Sequence, residues 1–439
     1  MKRSVLTALV AVSTLALVGC GSDSDDGGSA DGDATTTTAA DYSVITVPED
    51  HPTIQEAVNA AKEGDLVLIS PGVYKEAVNV ETPNIVVRGL DRNEVIIDGE
   101  FERENGIKVF SDGVAVENLT VRNHTGNGVF FTGEYSDDTS QNRILTGYRA
   151  SYVTAYNNGL YGIYGFNAQG GQFDHSYGSG HPDSAFYIGQ CNPCDTVLTD
   201  LVAEKNMLGY SGTNSTGVTI VNSVWRGNRS GIVPNSLHSE KLAPNRGTTI
   251  VGNLVVDNNA TDAPNNEGIA IAFGNGIVLG GVSNNVVERN LVTGHANAGL
   301  VITDYPDSTN PETKEKETFK PEKNEVRNNT FSGNGFDLAY LTVNYASQLF
   351  GNCFEDNEIT TEFPEGLQAK AACGAPEVDL GDLAPILSKL TPPPADVDWK
   401  TVAAPPAQEN MPDAATAPPV PAPKSPPKVD LAAITTPKG

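Results

Sequence analysis

A repeated unit constrains this chain more than any other feature: Asn or Asp bounds a short stretch in which apolar and polar residues alternate. One version begins at Asn118, Asp200, Asn222, Asn253, Asn290, Asn329 and Asn352, and a second follows at Asn127, Asn158, Asp183, Asn206, Asn228, Asn297 and Asn334. The shortest spacings between equivalent units, 22 to 25 residues, fit one coil of three strands, and longer spacings indicate loops inserted at a turn. Stacked Asn side chains can hydrogen-bond along the axis while Val and Ile fill the interior. The repeats therefore predict an all-β, parallel β-helix over residues 42–374.

Length and charge narrow the fold and the partners. The chain has 439 residues, but a solenoid can hold them in one long domain because each coil contacts only its neighbours. The formal net charge is -27, which opposes binding to a phosphate backbone. We therefore expect no nucleic-acid partner.

The N-terminus has the pattern of an export signal. Lys2 and Arg3 precede an apolar run over residues 5–18, which is short for a membrane span. The run ends in Leu17-Val18-Gly19-Cys20, which matches the bacterial lipobox. This resemblance implies a signal peptide over 1–19, cleavage before Cys20, and a lipid on its sulfur that anchors the exported protein to a membrane of the cell envelope. The alternative is an ordinary signal peptide with an incidental cysteine.

Composition divides the remaining chain. Residues 20–41 are rich in Gly, Ser, Asp, Ala and Thr, which predicts a flexible tether. Residues 375–439 are dominated by Pro and Ala without sustained periodicity, which predicts an extended and mostly disordered tail. Within that tail, residues 380–390 could form one short helix.

Four cysteines remain if Cys20 carries a lipid. An oxidising compartment favours pairing all four, and the local pairs are Cys191 with Cys194 and Cys353 with Cys373. A lone Cys-x-x-Cys could also be a redox pair or half of a zinc site. The sequence offers no second Cys-x-x-Cys or closely spaced His pair to complete such a site, so we expect disulfides and no metal or other cofactor.

The start of the solenoid carries a helix signal. Thr53-Ile54-Gln55-Glu56 has the form of a capping box, and Ile54, Ala57, Val58 and Ala61 fall on one helical face. Strands are predicted at 65–70, 85–87 and 95–97. The helix would cover the otherwise unpaired edge of the first coil.

Two stretches of the opening resemble known β-helix proteins. Ile45-Thr46-Val47-Pro48 and Pro71-Gly72-Val73-Tyr74, with the capping segment between them, are similar to the start of pectin methylesterases and of the periplasmic protein that assists copper-site assembly in nitrous oxide reductase. Further segments at 171–177, 186–195, 208–214 and 231–235 resemble bacterial β-helix repeat lipoproteins, for which no activity is assigned. The resemblance spans about 44–374 and implies a right-handed parallel β-helix of the pectate-lyase-like superfamily.

Catalytic motifs of this superfamily are not found. His181-Pro182-Asp183-Ser184 invites comparison with the Asp-Pro-His-Asp motif of alginate epimerases, but the repeats place Asp183 where other coils carry the ladder Asn. His175 and His181 could act as bases, although a lone His in a coil turn is more often a structural hydrogen-bonder. The catalytic residues, and whether there are any, stay undetermined by the sequence.

Loop lengths indicate a binding cleft. Turns after the second strand are long at 133–147, 234–247 and 304–324 and short at 165–171, 189–194 and 212–217, so long loops should form walls beside low coils. On these low coils, tyrosines recur 23 residues apart, at Tyr164, Tyr187 and Tyr210. Aromatic rings in such a row could stack on the rings of a sugar chain. The alternative is that one or more rings turn into the core. Gln190, Asn214 and His238 are the hydrogen-bonding candidates nearby.

Three classes of function remain open. The cleft favours a lipid-anchored surface protein that binds an extracellular polysaccharide or cell-envelope glycan. A polysaccharide lyase, epimerase or hydrolase with an unfamiliar site is the second class. A structural or adhesive surface protein, or a metal-assembly accessory factor, is the third.

Overall fold

A computed structural model describes residues 42–438 apart from 137, 266–272, 310–315, 343 and 345–347. The predicted signal peptide, the lipobox with Cys20 and the whole of the predicted tether over 20–41 lie outside the described residues. Among the described residues, no helix is both long and apolar enough to cross a membrane.

The described chain is a right-handed parallel β-helix built from three long sheets, A, B and C, with twelve, ten and eleven strands. Sheet A contains Val44–Val47, Leu66–Ile69, Val86–Gly89, Val114–Glu117, Leu145–Ser151, Ala168–Asp174, Thr196–Thr199, Val218–Val221, Thr249–Val251, Val286–Glu288, Glu325–Arg327 and Cys353–Glu355. Sheet B contains Gly72–Tyr74, Val95–Asp98, Thr120–Arg122, Thr154–Tyr156, Tyr177–Ser179, Val202–Glu204, Val224–Arg226, Leu254–Val256, Leu291–Thr293 and Thr330–Ser332.

Sheet C contains Val78–Val80, Ile107–Val109, Val129–Thr132, Ile163–Phe166, Ser184–Gly189, Leu208–Thr213, Ser230–Asn235, Asn275–Gly280, Ala298–Thr303, Phe336–Leu341 and Glu362–Phe363. Every strand pairs in parallel with its equivalents in the neighbouring coils, for example Val202–Glu204 with Val224–Arg226. Because side chains alternate along a strand, every second residue of each coil points into one shared interior filled mainly by Val, Ile, Leu and Ala. The predicted fold class is confirmed.

Polar ladders run along the corners of the coils. At the corner between sheets A and B, the Asn253 side chain donates to Asn290 at 3.0 Å, Asn290 to Asn329 at 2.9 Å, and Asn329 to Asn357 at 2.9 Å. The carboxamides of Asn253 and Asn290 also donate to backbone carbonyls of the preceding coil, and those of Asn290 and Asn329 accept from its backbone amides. Buried polar groups of the turns are thus satisfied along the axis, as the repeats predicted.

The helix Ile54–Ala60 closes the first coil. Thr53 is its N-cap and accepts from the amide of Glu56 at 3.2 Å, while Ile54, Ala57 and Val58 are buried. The Glu76 carboxylate accepts from the amides of Ile54 and Gln55, so a residue of the following coil completes the cap. Shorter helical segments are Leu367–Lys370 and the 3₁₀ turns Thr139–Gln141, Ala384–Lys389, Trp399–Thr401 and Leu431–Ala433.

Both expected disulfides are formed. Cys191 pairs with Cys194, and Cys353 pairs with Cys373. The first bridge closes a short turn between sheets C and A, and the second ties the last strand of sheet A to the chain that follows Leu367–Lys370.

The three long loops predicted from the sequence leave from one edge of the solenoid, while a further long connection joins Leu254–Val256 of sheet B to Asn275–Gly280 of sheet C. Each of the three follows a strand of sheet C and precedes a strand of sheet A: 133–144 after Val129–Thr132, 236–248 after Ser230–Asn235, and 304–324 after Ala298–Thr303. The third contains the antiparallel strands Tyr305–Thr309 and Lys316–Phe319. The turns of the coils between the first two loops are short, so the outer face of sheet C lies low there.

The tail departs from the expected disorder. Residues 391–435 hydrogen-bond to the solenoid from Thr391, which donates to Asn297, to Leu431, whose carbonyl accepts from Arg289. Ile434 is buried against Val221 and Val251. The segment has little regular structure, as its composition indicated, but polar side chains of the coils bind its backbone. The short helix expected within 380–390 is present as Ala384–Lys389.

Candidate functional site

The three tyrosines predicted to line a cleft do not share one face. Tyr164 and Tyr187 are partners in register on sheet C, but Tyr187 pairs with Ser211, whereas Tyr210 pairs with Phe186. A shift of one residue moves a side chain to the opposite face of a strand. Tyr210 is therefore in the core with no exposed surface, and the expectation of an aligned row is wrong at this position.

The outer face of sheet C instead carries an aromatic cluster: Phe130, Tyr135, Tyr161, Tyr164, Phe166 and Tyr187. The Phe130 and Tyr164 rings stack with centroids 4.6 Å apart and planes 10° apart. Tyr161 lies 4.8 Å from Tyr164 and 4.6 Å from Tyr187. Phe130, Tyr161, Tyr164 and Phe166 are half-buried, whereas Tyr187 is only 3% exposed.

Ring faces within the aromatic cluster are largely occupied by other rings. Tyr164 stacks on Phe130 and also contacts Tyr187 with centroids 4.8 Å apart and planes 85° apart. Phe166 packs edge-on against both Tyr135 and Tyr164. Few ring faces are therefore left open for a ligand to stack on, and recognition would depend more on ring edges and hydrogen bonds than on stacking.

A buried carboxyl group lies behind the phenols. Asp183 accepts a hydrogen bond from the Ser184 hydroxyl at 2.8 Å and is hydrogen-bonded to Tyr161. Burial raises the pKa of Asp183 to about 6, and Ser184 and Tyr161 partly oppose this shift. Burial also holds the pKa of Tyr161 well above its usual range, with the charge of Asp183 adding to the effect. A carboxyl group that titrates near neutral pH and a phenol are thus in direct contact.

The assignment of Asp183 to the polar ladder is wrong. His181 occupies that place: its ring lies 3.2 Å from the Asn158 amide nitrogen and 2.8 Å from the Asn206 amide oxygen. Burial lowers the pKa of His181 to about 4, so it is a neutral ladder member, which supports the structural interpretation of this histidine. Because His181 fills the ladder, Asp183 is left two residues further along, at the start of a sheet C strand.

Two of the long loops, 133–144 and 236–248, contact the aromatic cluster and are called the wall loops below. The Tyr135 hydroxyl, from loop 133–144, donates to the Gln190 carbonyl at 2.7 Å. Glu240, from loop 236–248, accepts from the Tyr187 hydroxyl at 3.2 Å and from the Gln190 amide at 3.0 Å. The cluster therefore combines the phenols with two carboxyl groups, those of Asp183 and Glu240.

The remaining predicted site residues have different places. Gln190 holds the second wall loop, since it also accepts from the Lys241 amide at 3.1 Å. Asn214 is fully buried and binds the backbone of Leu237 and Glu240, so it positions that loop and does not face a ligand. The His238 ring packs on Phe319 with centroids 4.1 Å apart and lines a cavity of about 250 Å³ with the third loop.

Sequence reasoning missed Tyr161, Asp183 and Glu240. Tyr161 lies in a turn between sheets B and C and has no counterpart at the coil spacing. Asp183 was assigned to the ladder, and Glu240 lies in a loop whose path the repeats do not determine. Among the described residues, no group of three or more His, Cys, Asp or Glu side chains is placed to hold a metal ion.

Three proteins of known structure show similarity to this chain at TM-scores below 0.5. The A-module of a mannuronan C-5 epimerase from Azotobacter vinelandii is 14% identical, with a TM-score of 0.49, over 73% of this chain and 96% of that one. A PL6 alginate lyase in complex with a trisaccharide is 13% identical, with a TM-score of 0.42, over 78% and 91%. A pectate lyase is 12% identical, with a TM-score of 0.36, over 85% and 90%.

The likeness is one of fold. No protein-family model matches the chain, and no curated protein matches its sequence.

Proposed function

We propose that this protein is a lipid-anchored protein of the cell envelope that binds a polysaccharide at the aromatic cluster on sheet C. One observation carries the proposal: partly exposed tyrosine side chains and two carboxyl groups converge on a low stretch of sheet C between two wall loops. Sugars present many hydroxyl groups, and such a mixture of donors and acceptors beside apolar ring edges suits them. The lipobox at Cys20 supports the membrane anchor.

The chemistry favours a neutral or cationic glycan. The chain's net charge is -27, and Asp183, whose pKa is raised to about 6, adds negative charge to the cluster when it is deprotonated. An acidic polysaccharide would be repelled unless a cation such as Ca²⁺ bridged the two. Lys108 lies over the Phe130 ring at 5.5 Å and supplies one positive charge at the other end of the cluster.

Removal of two phenol oxygens tests the proposal. Glycan-array screening of the folded protein would select an oligosaccharide, and calorimetry would compare it with a Tyr161→Phe/Tyr164→Phe variant. Each lost hydrogen bond should cost about 1 kcal/mol, so the double variant should bind about thirtyfold more weakly. Tyr152→Phe is the matched control. Tyr152 is a half-buried tyrosine that directly follows the sheet A strand Leu145–Ser151, and its ring stacks on His175. Equal affinities for the double variant and the control would contradict the proposal.

A second candidate function is acid–base catalysis on the bound glycan. The contact between Asp183, whose pKa is raised to about 6, and the Tyr161 phenol favours it, since such a carboxyl group can exchange a proton near neutral pH. Asp183→Asn distinguishes the two candidates. A binding protein leaves the oligosaccharide unmodified with either residue at position 183, whereas an enzyme converts it and loses turnover in the variant, measured by chromatography of the oligosaccharide products.

A further inference from the structure

The outer face of sheet A carries an ionic row that its own tail covers. Arg88 and Glu117 are paired at 2.7 Å with side chains 1% and 2% exposed, and Arg149 pairs with the same carboxylate from the next coil. Glu117 neutralises one of the two guanidinium charges. The remaining donors of both arginines point away from the sheet, toward the residues after Met411.

Those donors bind backbone carbonyl groups of the tail. The Arg88 guanidinium donates to the carbonyls of Ala417 at 2.6 Å and Pro418 at 3.2 Å, and Arg149 donates to that of Val420 at 2.8 Å. A proline-rich segment suits this arrangement because proline has no N–H to satisfy, while every residue offers a carbonyl acceptor.

The same chemistry recurs along the track of the tail. At the corner between sheets B and C, Arg229 donates to the carbonyls of Pro394 at 3.1 Å and Ala395 at 2.7 Å. At the corner between sheets A and B, Arg92 donates to the Glu409 carbonyl at 3.0 Å, and Arg289 donates to that of Leu431 at 2.7 Å. Five arginines from four regions of the sequence therefore bind one segment through the same type of acceptor.

Glycines let the tail approach closely. Gly113, Gly147 and Gly170 occupy equivalent positions in three successive coils, just before Val114, Tyr148 and Gly171, which are in register on sheet A. Ala422 donates its amide to the Gly113 carbonyl at 2.9 Å. A Cβ atom at Gly170 would collide with the Lys424 carbonyl, and one at Gly147 would lie 3.0 Å from the Pro423 oxygen. Side chains at this corner would thus displace the segment.

Apolar side chains fix the two ends of the segment and its middle. Ile386 is 1% exposed and packs against Ala298 and Ala339 on the last coils of sheet C, while the next residue, Leu387, is 52% exposed. The Trp399 ring lies edge-on to Phe101 with centroids 5.4 Å apart. Ile434 packs on Val221 and Val251 of sheet A.

We propose that the outer face of sheet A and the corners beside sheet B form an arginine-lined docking track for an extended proline-rich chain, and that its occupant is residues 384–435 of the same molecule. The tail is then a bound intramolecular ligand, not a spacer. The track recognises backbone carbonyls along an extended chain, and the anchoring apolar residues set the register. This proposal does not depend on glycan binding at the aromatic cluster.

Cleavage of the full-length chain tests the proposal. A specific protease site inserted between Gly381 and Asp382, where the chain is exposed, would separate the tail from the solenoid without removing it. We expect the released fragment to co-elute with the solenoid in size-exclusion chromatography at micromolar concentration, in a one-to-one ratio. Separation of the unsubstituted fragment from the solenoid under these conditions would overturn the proposal, as would dimers that exchange their tails.

Matched variants make the test specific. Ile386→Asp in the cut protein should accelerate dissociation of the fragment at least tenfold, because it places a charge in a buried apolar contact. Leu387→Asp, one residue away and exposed, should not change it. Equal dissociation rates for the two variants would show that the segment is not held in this register and would reject the track.

Discussion

The outer faces of sheets A and C differ, although both arise from the same coils. On sheet C the residues that point outward include Phe130, Tyr164 and Tyr187, and loops rise beside them without covering all of the rings. On sheet A the outward residues include Arg88 and Glu117, and the tail covers them. The coil geometry fixes which side chains point outward, but the chain beyond the repeats decides which of those side chains solvent can reach.

Loss of a charge should lower the free energy of unfolding more on sheet A, which the tail covers, than at an exposed ion pair. Glu117→Gln would leave two arginines beside a neutral amide in a buried site, at a cost of about 3 kcal/mol or more in the free energy of unfolding. Urea denaturation would measure it. Glu325→Gln is the control: its ion pair with Arg327 is nearly half exposed, so its loss should cost below about 1 kcal/mol. Similar losses for both variants would mean that the tail does not seal sheet A.

On sheet C, we expect the free energy of unfolding to depend on pH through Asp183. The pKa of Asp183 is raised from 3.8 to about 6, so the folded protein binds a proton there that the unfolded chain has released. This group's contribution to stability is therefore fully present below about pH 4 and is lost as the pH rises through 6, a change of up to about 3 kcal/mol. Thermal unfolding between pH 4 and 7.5 would measure it. Asp183→Asn should remove this fall, so the stability of the wild type relative to the variant should decrease by up to about 3 kcal/mol between pH 4 and 7.5. A difference that does not change with pH would contradict the assignment.

Much of the architecture could be predicted from the sequence because it depends on local periodicity. The coil length, the N-terminal cap, the disulfides and the edge from which the long loops leave all follow from spacing and residue type. The site could be predicted only in part. Tyr164 and Tyr187 were placed on the correct sheet, but a coil longer by one residue turned Tyr210 into the core.

Two other misses have the same kind of cause. His181 and Asp183 are both polar residues near one turn, and only the hydrogen bonds between coils show that His181 continues the ladder. The tail has no periodicity, and its partners, such as Arg88 and Arg229, are more than 150 residues away in sequence. Neutral carbonyl acceptors leave no complementary charge pattern that would reveal the contact.

Oxidative footprinting tests the contrast between the two faces most directly. The folded protein would be exposed to hydroxyl radicals with and without a saturating oligosaccharide selected on the array, and modification would be read residue by residue by mass spectrometry. We expect the ligand to protect Tyr161, Tyr164 and Phe166. Modification of Tyr152, which directly follows the sheet A strand Leu145–Ser151, should stay unchanged. Protection of Tyr152 with no protection of Tyr161 and Tyr164 would contradict a binding site on sheet C.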